Sequence, residues 1–291
     1  MLRSPDRPTP LPENEHDEHH RAQCRRHQKG MPMQTKTALI TGASGGIGQS
    51  FAEIAASECT TIVAVARRQD RLQALKADLE QKFRTEVVIL RRDLAQAGAA
   101  ENIVREVQGR GIIPDYLINN AGFGDVTPFA ESDLQKQTDM IAVNITSLTQ
   151  LTRLFLPAMI SRGSGAILNV ASTAAFQPGP FMAVYYASKA YVLLFTEALA
   201  VELRSTGVTA TALCPGPTAT GFGPTSGMAR TRIMKHLPLA SPRDVARFGY
   251  TAMKQGRTVA IPGLLNKLSA FSTRLGPRKL VALVAGALHQ E

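Results

Sequence analysis

Tyr185 and Lys189 stand four residues apart in a stretch of helical periodicity, which places both side chains on one helix face. A phenol titrating near about 10 is a poor proton-transfer group at neutral pH, and a neighbouring ammonium stabilises its phenolate and moves it toward the working range. Such a pair can exchange a proton with a carbonyl or an alcohol. Tyr186 is an alternative phenol, three residues from Lys189 and so at a different offset. Tyr-x-x-x-Lys alone is weak information, because surface pairs of this spacing are common, and the rest of the chain must supply the context.

A second group of residues supplies it. An apolar run ends in Thr41-Gly42-Ala43-Ser44-Gly45-Gly46-Ile47-Gly48 and is followed by a helical pattern. Strand, glycine turn and helix N-terminus together form an anion site: backbone N–H groups point outward, the helix dipole favours negative charge, and bare glycines admit a pyrophosphate. No Lys-Ser/Thr follows the last glycine, so this is not an NTP-hydrolysing phosphate loop. The same residues also satisfy G-x-S-x-G, the nucleophile elbow of α/β-hydrolases, with Ser44 as nucleophile. Chain order argues against that rival. The elbow requires an acid and then a histidine downstream, the histidines beyond the head are only His236 and His289, and the motif here follows the first strand rather than several.

The end of the second strand, about 20 residues on, separates the two nicotinamide dinucleotides: an acid there binds a ribose 2′-hydroxyl and an arginine a 2′-phosphate. This chain has Arg67-Arg68 and no carboxylate. Guanidinium groups offer planar paired donors to phosphate, so the sequence favours NADP(H). The bland alternative is two arginines opening a solvated helix.

Seven short apolar runs, at 38–41, 61–66, 87–90, 116–119, 166–171, 208–213 and 259–261, read as strands. Helical patterns fill gaps between them at 70–83, 132–160 and 184–204, and Ser241-Pro242-Arg243-Asp244 opens another that runs to about Gln255. Alternating strands and helices predict an α/β fold, a doubly wound Rossmann-type sheet of seven parallel strands with helices on both faces, in one domain over 35–262. Residues 1–34 read as a disordered extension. Over 1–32 there are four of the six histidines, six basic and five acidic groups, and hardly any apolar periodicity. Its histidines suit a solvated tail better than a metal site, no apolar stretch marks a secretory signal, and Met31 or Met33 is an alternative translation start. Residues 263–291 form a basic amphipathic tail.

Composition sets outer bounds. With 291 residues and 44% hydrophobic content the chain can bury a large core. Its 3 cysteines, Cys24, Cys59 and Cys214, are too widely spaced for a disulfide scaffold or a clustered zinc site, which points to organic chemistry inside the cell and to no metal. No run reaches the roughly 20 apolar residues of a membrane span. The net charge of +10 comes without a nucleic-acid-binding motif, and phosphate-rich cofactors and acyl carriers suffice to explain it.

These motifs, in this order, resemble the classical short-chain dehydrogenase/reductase family across about residues 35–262. Thr41-Gly42-x-x-x-Gly46-x-Gly48 is similar to its cofactor loop, with Ser44 and Ile47 inside it. Asp93-Leu94 resembles its adenine contact, Asn119-Asn120-Ala121-Gly122 its strand-end motif, and Pro215-Gly216-x-x-x-Thr220 the loop that covers nicotinamide. Asn144 falls at the family's active-site asparagine, and Ser172, thirteen residues before Tyr185, at its active-site serine. The resemblance implies a catalytic set of Asn144, Ser172, Tyr185 and Lys189, with Tyr185 and Lys189 also touching cofactor. Tyr185 protonates the carbonyl oxygen, Ser172 hydrogen-bonds it, Lys189 lowers the Tyr185 pKa and holds ribose, and Asn144 positions a water in a proton relay. Local capping by Ser172 and local bonding by Asn144 are the alternatives. Asn144-Ile145-Thr146 also matches a glycosylation sequon.

Gly45 departs from the pattern, since many NADP-using members carry a basic residue there. That leaves Arg67 most of the 2′-phosphate, with Ser44 or Arg68 assisting. Variable segments at 123–126, 174–182 and 221–239 are where the family contacts substrate. The first two bring Phe123, Phe176, Phe181 and Met182, which suit a hydrophobic carbonyl, and the third reads as a mobile lid. The strings at 66–72 and 214–220 resemble a bacterial branch of broadly named reductases, with 3-oxoacyl or other lipid carbonyls as the analogous substrates. The resemblance further implies a homodimer or homotetramer through the helices at 132–160 and 184–204, and a cytoplasmic protein. Its basic tail either packs on the protein or lies on the inner face of an anionic membrane. A catalytically silent nucleotide sensor is the alternative reading of the whole, which the complete proton-transfer set disfavours.

Overall fold

Runs of Val, Ile and Ala suit strands buried on both faces, and such strands pair in parallel beneath covering helices. The computed structural model of the chain describes residues 36–231 and 238–289. The expected extension at 1–34 and residues 232–237 of the expected lid lie outside the described residues. Strands β1 (Thr37–Thr41), β2 (Thr61–Ala66), β3 (Glu86–Arg91), β4 (Tyr116–Asn119), β5 (Gly165–Val170), β6 (Val208–Leu213) and β7 (Val259–Ala260) form one sheet in the order β3-β2-β1-β4-β5-β6-β7. All six pairings are parallel, and Ile40 faces Ala64 on one side and Ile118 on the other. This is the expected doubly wound sheet.

The helices are α1 (Gly46–Ala55), α2 (Gln69–Lys82), α3 (Ala99–Gly109), α4 (Leu134–Ile141), α5 (Leu148–Arg162) and α6 (Ala183–Glu202), then α7 (Phe222–Ser226), α8 (Pro242–Lys254), α9 (Leu264–Ser272) and α10 (Arg278–His289). Strand alternation divides the core. Ile40, Ala64, Ile118 and Leu168 meet α1, α2 and α8 through Phe51, Leu72 and Tyr250. Leu39, Val63, Leu117 and Ile167, one residue earlier on each strand, meet α3, α5 and α6 through Ile103, Phe155 and Leu199. Fully burying one such side chain stabilises the fold by about 1.5–3 kcal/mol.

The strands lie within one residue of the expected limits. Two helical expectations change. Helix α3 was not anticipated: it follows Gly98, whose φ of +76° breaks the chain direction, and buries Ala100, Ile103, Val104 and Val107 on one face. The helix expected over 132–160 starts at Leu134, because the Asp133 side chain accepts from the backbone N–H groups of Gln135 and Lys136. Its middle widens into a π-helical stretch, Ala142–Ser147, before α5 continues to Arg162. The tail is two helices, α9 and α10.

The chain leaves β1 toward β2 on one side and reaches β4 on the other. That reversal opens a crevice at the carboxyl ends of β1 and β4, where ligands of doubly wound sheets bind.

Candidate active site

Thr41, the last residue of β1, is buried, and its Oγ1 accepts from the backbone N–H groups of Asn120 and Ala121 at 3.0 Å each. Asn120 Nδ2 donates back to Thr41 O at 3.0 Å. These bonds tie the glycine loop to the segment after β4 across the crevice. Close approach is what requires glycine here: a Cβ on Gly48 would stand 2.3 Å from Gly42 O and 2.4 Å from Asn120 Nδ2. Gly42 itself has a φ of +69°, a left-handed conformation that side chains resist. Helix α1 begins with no side-chain cap and no acid in its first turn, so its leading N–H groups face the crevice without a competing carboxylate. Ile47 anchors the loop by packing on the core.

Arg68 closes the outer side of the loop. Its guanidinium donates to Ser44 O at 2.9 Å and to Ser44 Oγ at 3.1 Å, and Nη2 stands 3.0 Å from where a Gly45 Cβ would be. A cation from the end of β2 therefore occupies the space that a basic side chain at position 45 would take. Arg67 is exposed beside it. At the end of β3, Asp93 Oδ1 accepts from Ala95 N at 3.1 Å, and the carbonyl of buried Leu94 accepts from Ser147 Oγ at 2.6 Å. Ser44 has a guanidinium as partner, which is no general base, and among the described residues the sole histidine is His289 at the end of α10. The elbow reading thus gains nothing from the geometry.

Beyond the loop, Gly122 faces the remaining polar groups: its missing Cβ would lie 3.1 Å from Asn144 Oδ1 and 3.2 Å from Lys189 Nζ. Lys189 is 5% exposed, donates to Val170 O at 2.8 Å, and its Nζ lies 5.8 Å from the centre of the Tyr185 ring. Burial lowers its pKa to about 8, with the Cys214 thiol acting in the opposite direction. Tyr185 is buried too. Burial pushes its hydroxyl up to about 12, and its hydrogen bond with the Ser172 side chain opposes that rise. Desolvation thus sets the direction at Tyr185, opposite to the lowering expected from Lys189, whose ammonium gives one of its three N–H bonds to the Val170 carbonyl.

Ser172 Oγ accepts from Ala174 N at 3.1 Å, so the serine caps a short 3₁₀ turn, Thr173–Phe176, while it meets Tyr185. Its local and its catalytic geometries coexist. The loop after β6 supports it, with Pro215 O accepting from Thr173 N at 2.9 Å. Asn266 packs against Gly216, and the methyl of Thr220 reaches within 3.0 Å of a Gly46 Cβ position, so this loop closes over the glycine cradle. Tyr186, the alternative phenol, has its ring beneath Gly179 and edge-on to Tyr185, with centroids 6.0 Å apart.

Asn144 sits in the π-helical stretch, 1% exposed, which bars glycosylation of the sequon in the folded chain. Its Nδ2 donates to Phe123 O and to Ser188 Oγ, both at 3.0 Å, and its Oδ1 accepts from Phe123 N at 3.1 Å. Ser188 Oγ in turn donates to Tyr185 O at 2.7 Å. Sequence reasoning missed Ser188, and it placed Thr41 in the cofactor loop without foreseeing its bonds to Asn120 and Ala121. Ser188 precedes Lys189 and follows Tyr185 by three, a helical offset that could have flagged it. Around the phenol lie Phe123, Met182 and Phe222, with the Phe222 ring centroid 5.2 Å from that of Tyr185. Among the described residues no group of acids, histidines and cysteines could hold a metal ion.

Known proteins resemble this chain in sequence and fold. The family described as short chain dehydrogenase matches residues 36–229. A ketoacyl reductase, HetN, from a Nostoc species is 34% identical over 229 residues, 78% of each chain. A very-long-chain 3-oxoacyl-CoA reductase from Bos taurus is 34% identical over 203 residues, covering 67% of this chain and 63% of that protein. The match thus spans under two thirds of that relative's length. Among solved structures, a short-chain dehydrogenase from Sphingobium yanoikuyae in complex with NADPH superposes with a TM-score of 0.74 at 29% identity, over 82% of this chain and 93% of that one.

Proposed function

This chain belongs to the short-chain dehydrogenase family, and from that premise we propose that it is an NADP(H)-dependent oxidoreductase that reduces a hydrophobic ketone, aldehyde or 3-oxoacyl group to an alcohol. The observation that carries the reading is the convergence of Tyr185, Ser172 and Lys189 beside the glycine cradle at the sheet's switch point. The cradle fits a dinucleotide: the N-terminus of α1 is bare of cap and acid, Gly42, Gly46 and Gly48 keep the loop low, and Asn120, Ala121 and Gly122 floor it. Arg68 at Ser44, with Arg67 beside it, favours the 2′-phosphate form, since two guanidiniums and no carboxylate stand where that phosphate would lie. Asp93 and Leu94 would border the adenine, and Pro215, Gly216 and Thr220 the nicotinamide.

The cofactor supplies hydride; the chain supplies the proton and its control. Tyr185, held protonated by burial, donates from its hydroxyl to the substrate oxygen. Ser172 Oγ hydrogen-bonds the same oxygen as negative charge grows there. Lys189 holds a cation against the phenolate that remains and would hold the cofactor ribose. Asn144 fixes the Phe123 segment to α6 through Ser188 and leaves one lone pair of Oδ1 for a water on the path from Lys189 to solvent. Phe123, Met182 and Phe222 line an apolar approach, which suits a lipid-like carbonyl; the names of the ketoacyl and very-long-chain 3-oxoacyl-CoA reductases to which the chain is similar point the same way. We assign it to the cytoplasm as a homo-oligomer.

The test is nucleotide oxidation with a panel of 3-oxoacyl thioesters and long-chain aldehydes and ketones. NADPH-dependent turnover at a much higher kcat/KM than with NADH supports the reading. Tight NADPH binding with no turnover of any compound refutes it in favour of a nucleotide sensor.

A further inference from the structure

Along α9, α10 and their connection the buried residues are small, and most of the large apolar ones are exposed. Ala270, Ala285 and Gly286 face the protein, whereas Leu265 and Leu275 are each 74% exposed, Leu268 and Phe271 more than half, and Leu280 and Leu283 likewise. On α9, Leu264, Leu268 and Phe271 recur at intervals of four and three along one side, and exposed Leu275 follows in the turn that leads to α10. Nine of the eighteen exposed large apolar side chains among the described residues lie between 264 and 288. Scattered apolar residues on a surface need no explanation, but a contiguous inverted face does.

Charge selects what covers it. Lys267, Arg274, Arg278 and Lys279 are exposed on the same two helices and their connection, and residues 245–290 contain no Asp or Glu. Lys267 sits inside the apolar stripe, three residues after Leu264 and four before Phe271. Its stem can lie on apolar material while its ammonium reaches polar headgroups. A second copy of this face would set the four cations against themselves, so self-association is opposed. Neither helix is long and apolar enough to cross a membrane. An apolar stripe interleaved with cations and no acids matches the chemistry of an anionic lipid surface.

The same helices border the candidate site. Gly286 lies against Pro180 and Phe181, and Asn266 against Gly216, so α9 and α10 brace the two loops that flank Tyr185. Met182 and Tyr185 belong to one apolar cluster just behind those loops. We propose that the outer face of α9 and α10 docks on an anionic bilayer and holds the apolar mouth of the site at the lipid surface, so that carbonyl substrates residing in the bilayer reach Tyr185 without crossing water. The nature of the substrate in this statement rests on the reductase reading above; the docking itself does not.

Co-sedimentation of the full chain with vesicles of phosphatidylcholine, alone or with phosphatidylglycerol added, tests it. Binding to the anionic vesicles, weakened by salt and lowered about fivefold or more for each reversed cation in Lys267→Glu and Arg274→Glu, supports it. Leu268→Ser with Phe271→Ser replaces exposed side chains only. This variant loses vesicle binding and turnover of a vesicle-embedded long-chain ketone but keeps NADPH binding and turnover of a short soluble ketone. No binding to anionic vesicles at low salt, or binding unchanged in these variants, overturns the docking. So does gel filtration in which Leu268→Ser with Phe271→Ser splits an oligomer that vesicles leave untouched. If the wild type binds vesicles yet turns over neither ketone, the docking stands and the reductase reading fails.

Discussion

Burial acts in opposite senses on the two members of the Tyr185–Lys189 pair, holding the phenol protonated and making the ammonium easier to discharge. Lys189 has its folded pKa lowered from 10.5 to about 8, so between those values the unfolded chain keeps a proton that the native protein has released. Its contribution to stability therefore rises with pH across that window, and below it the native state bears the cost of a buried cation. Lys189→Met should accordingly be more stable than wild type at neutral pH by roughly 1–2 kcal/mol in denaturant unfolding, after allowing for the lost bond to Val170, with the advantage fading by about pH 10. A variant less stable than wild type at neutral pH would mean that the Val170 bond outweighs desolvation. The same values predict that kcat/KM for carbonyl reduction is flat at neutral pH and falls once Lys189 loses its charge above about 8. At the outer rim, Arg68→Ala should raise the Kd for NADPH about 10- to 100-fold, the worth of a charge-assisted contact, and leave NADH nearly unchanged. An equal loss for both nucleotides would place Arg68 in loop support rather than phosphate recognition.

At the scale of elements, the site depends on the widened helical turn at Ala142–Ser147, which brings Asn144 inward between Phe123 and α6. Ser188→Ala leaves Asn144 Nδ2 short of a partner in a buried setting, at a cost of about 1–3 kcal/mol. The expected result is a lowered kcat with an unchanged Kd for NADPH; a change in Kd alone would contradict the assignment. The strands, the glycine loop and the Tyr185–Lys189 offset were legible because each is a local pattern of apolar runs or fixed spacing. The π stretch was not, since Ala142 to Ser147 has the composition of any helix and its extra residue per turn shows only in three dimensions. Helix α3 was legible too, since its inward Ala100, Ile103, Val104 and Val107 stand at helical offsets of three, four and seven; what it lacks is a capping side chain to mark its start at Gly98. Ser188 and Thr41 are ordinary hydroxyls in sequence; their partners Asn144, Asn120 and Ala121 come from distant segments.

Across the whole molecule, the crevice joins segments from β1, β2, β4, β5 and β6, so a nucleotide that bridges them stabilises the native sheet by mass action. At about 100 times its Kd, NADPH should add about 2.7 kcal/mol of stability and raise Tm by roughly 5–10 °C. NADH at the same concentration should do much less if Arg67 and Arg68 read the 2′-phosphate. Equal shifts would place the preference elsewhere. The central claim is that the Tyr185 hydroxyl is the proton donor, whereas the glycine cradle supplies most of the nucleotide's hold. Its most direct test is Tyr185→Phe, which removes one hydroxyl and keeps the buried ring against Phe222. NADPH oxidation with a 3-oxoacyl thioester or long-chain ketone should fall at least about 100-fold, the usual worth of a general acid, while the Kd for NADPH stays that of wild type. Turnover undiminished in Tyr185→Phe would contradict the account.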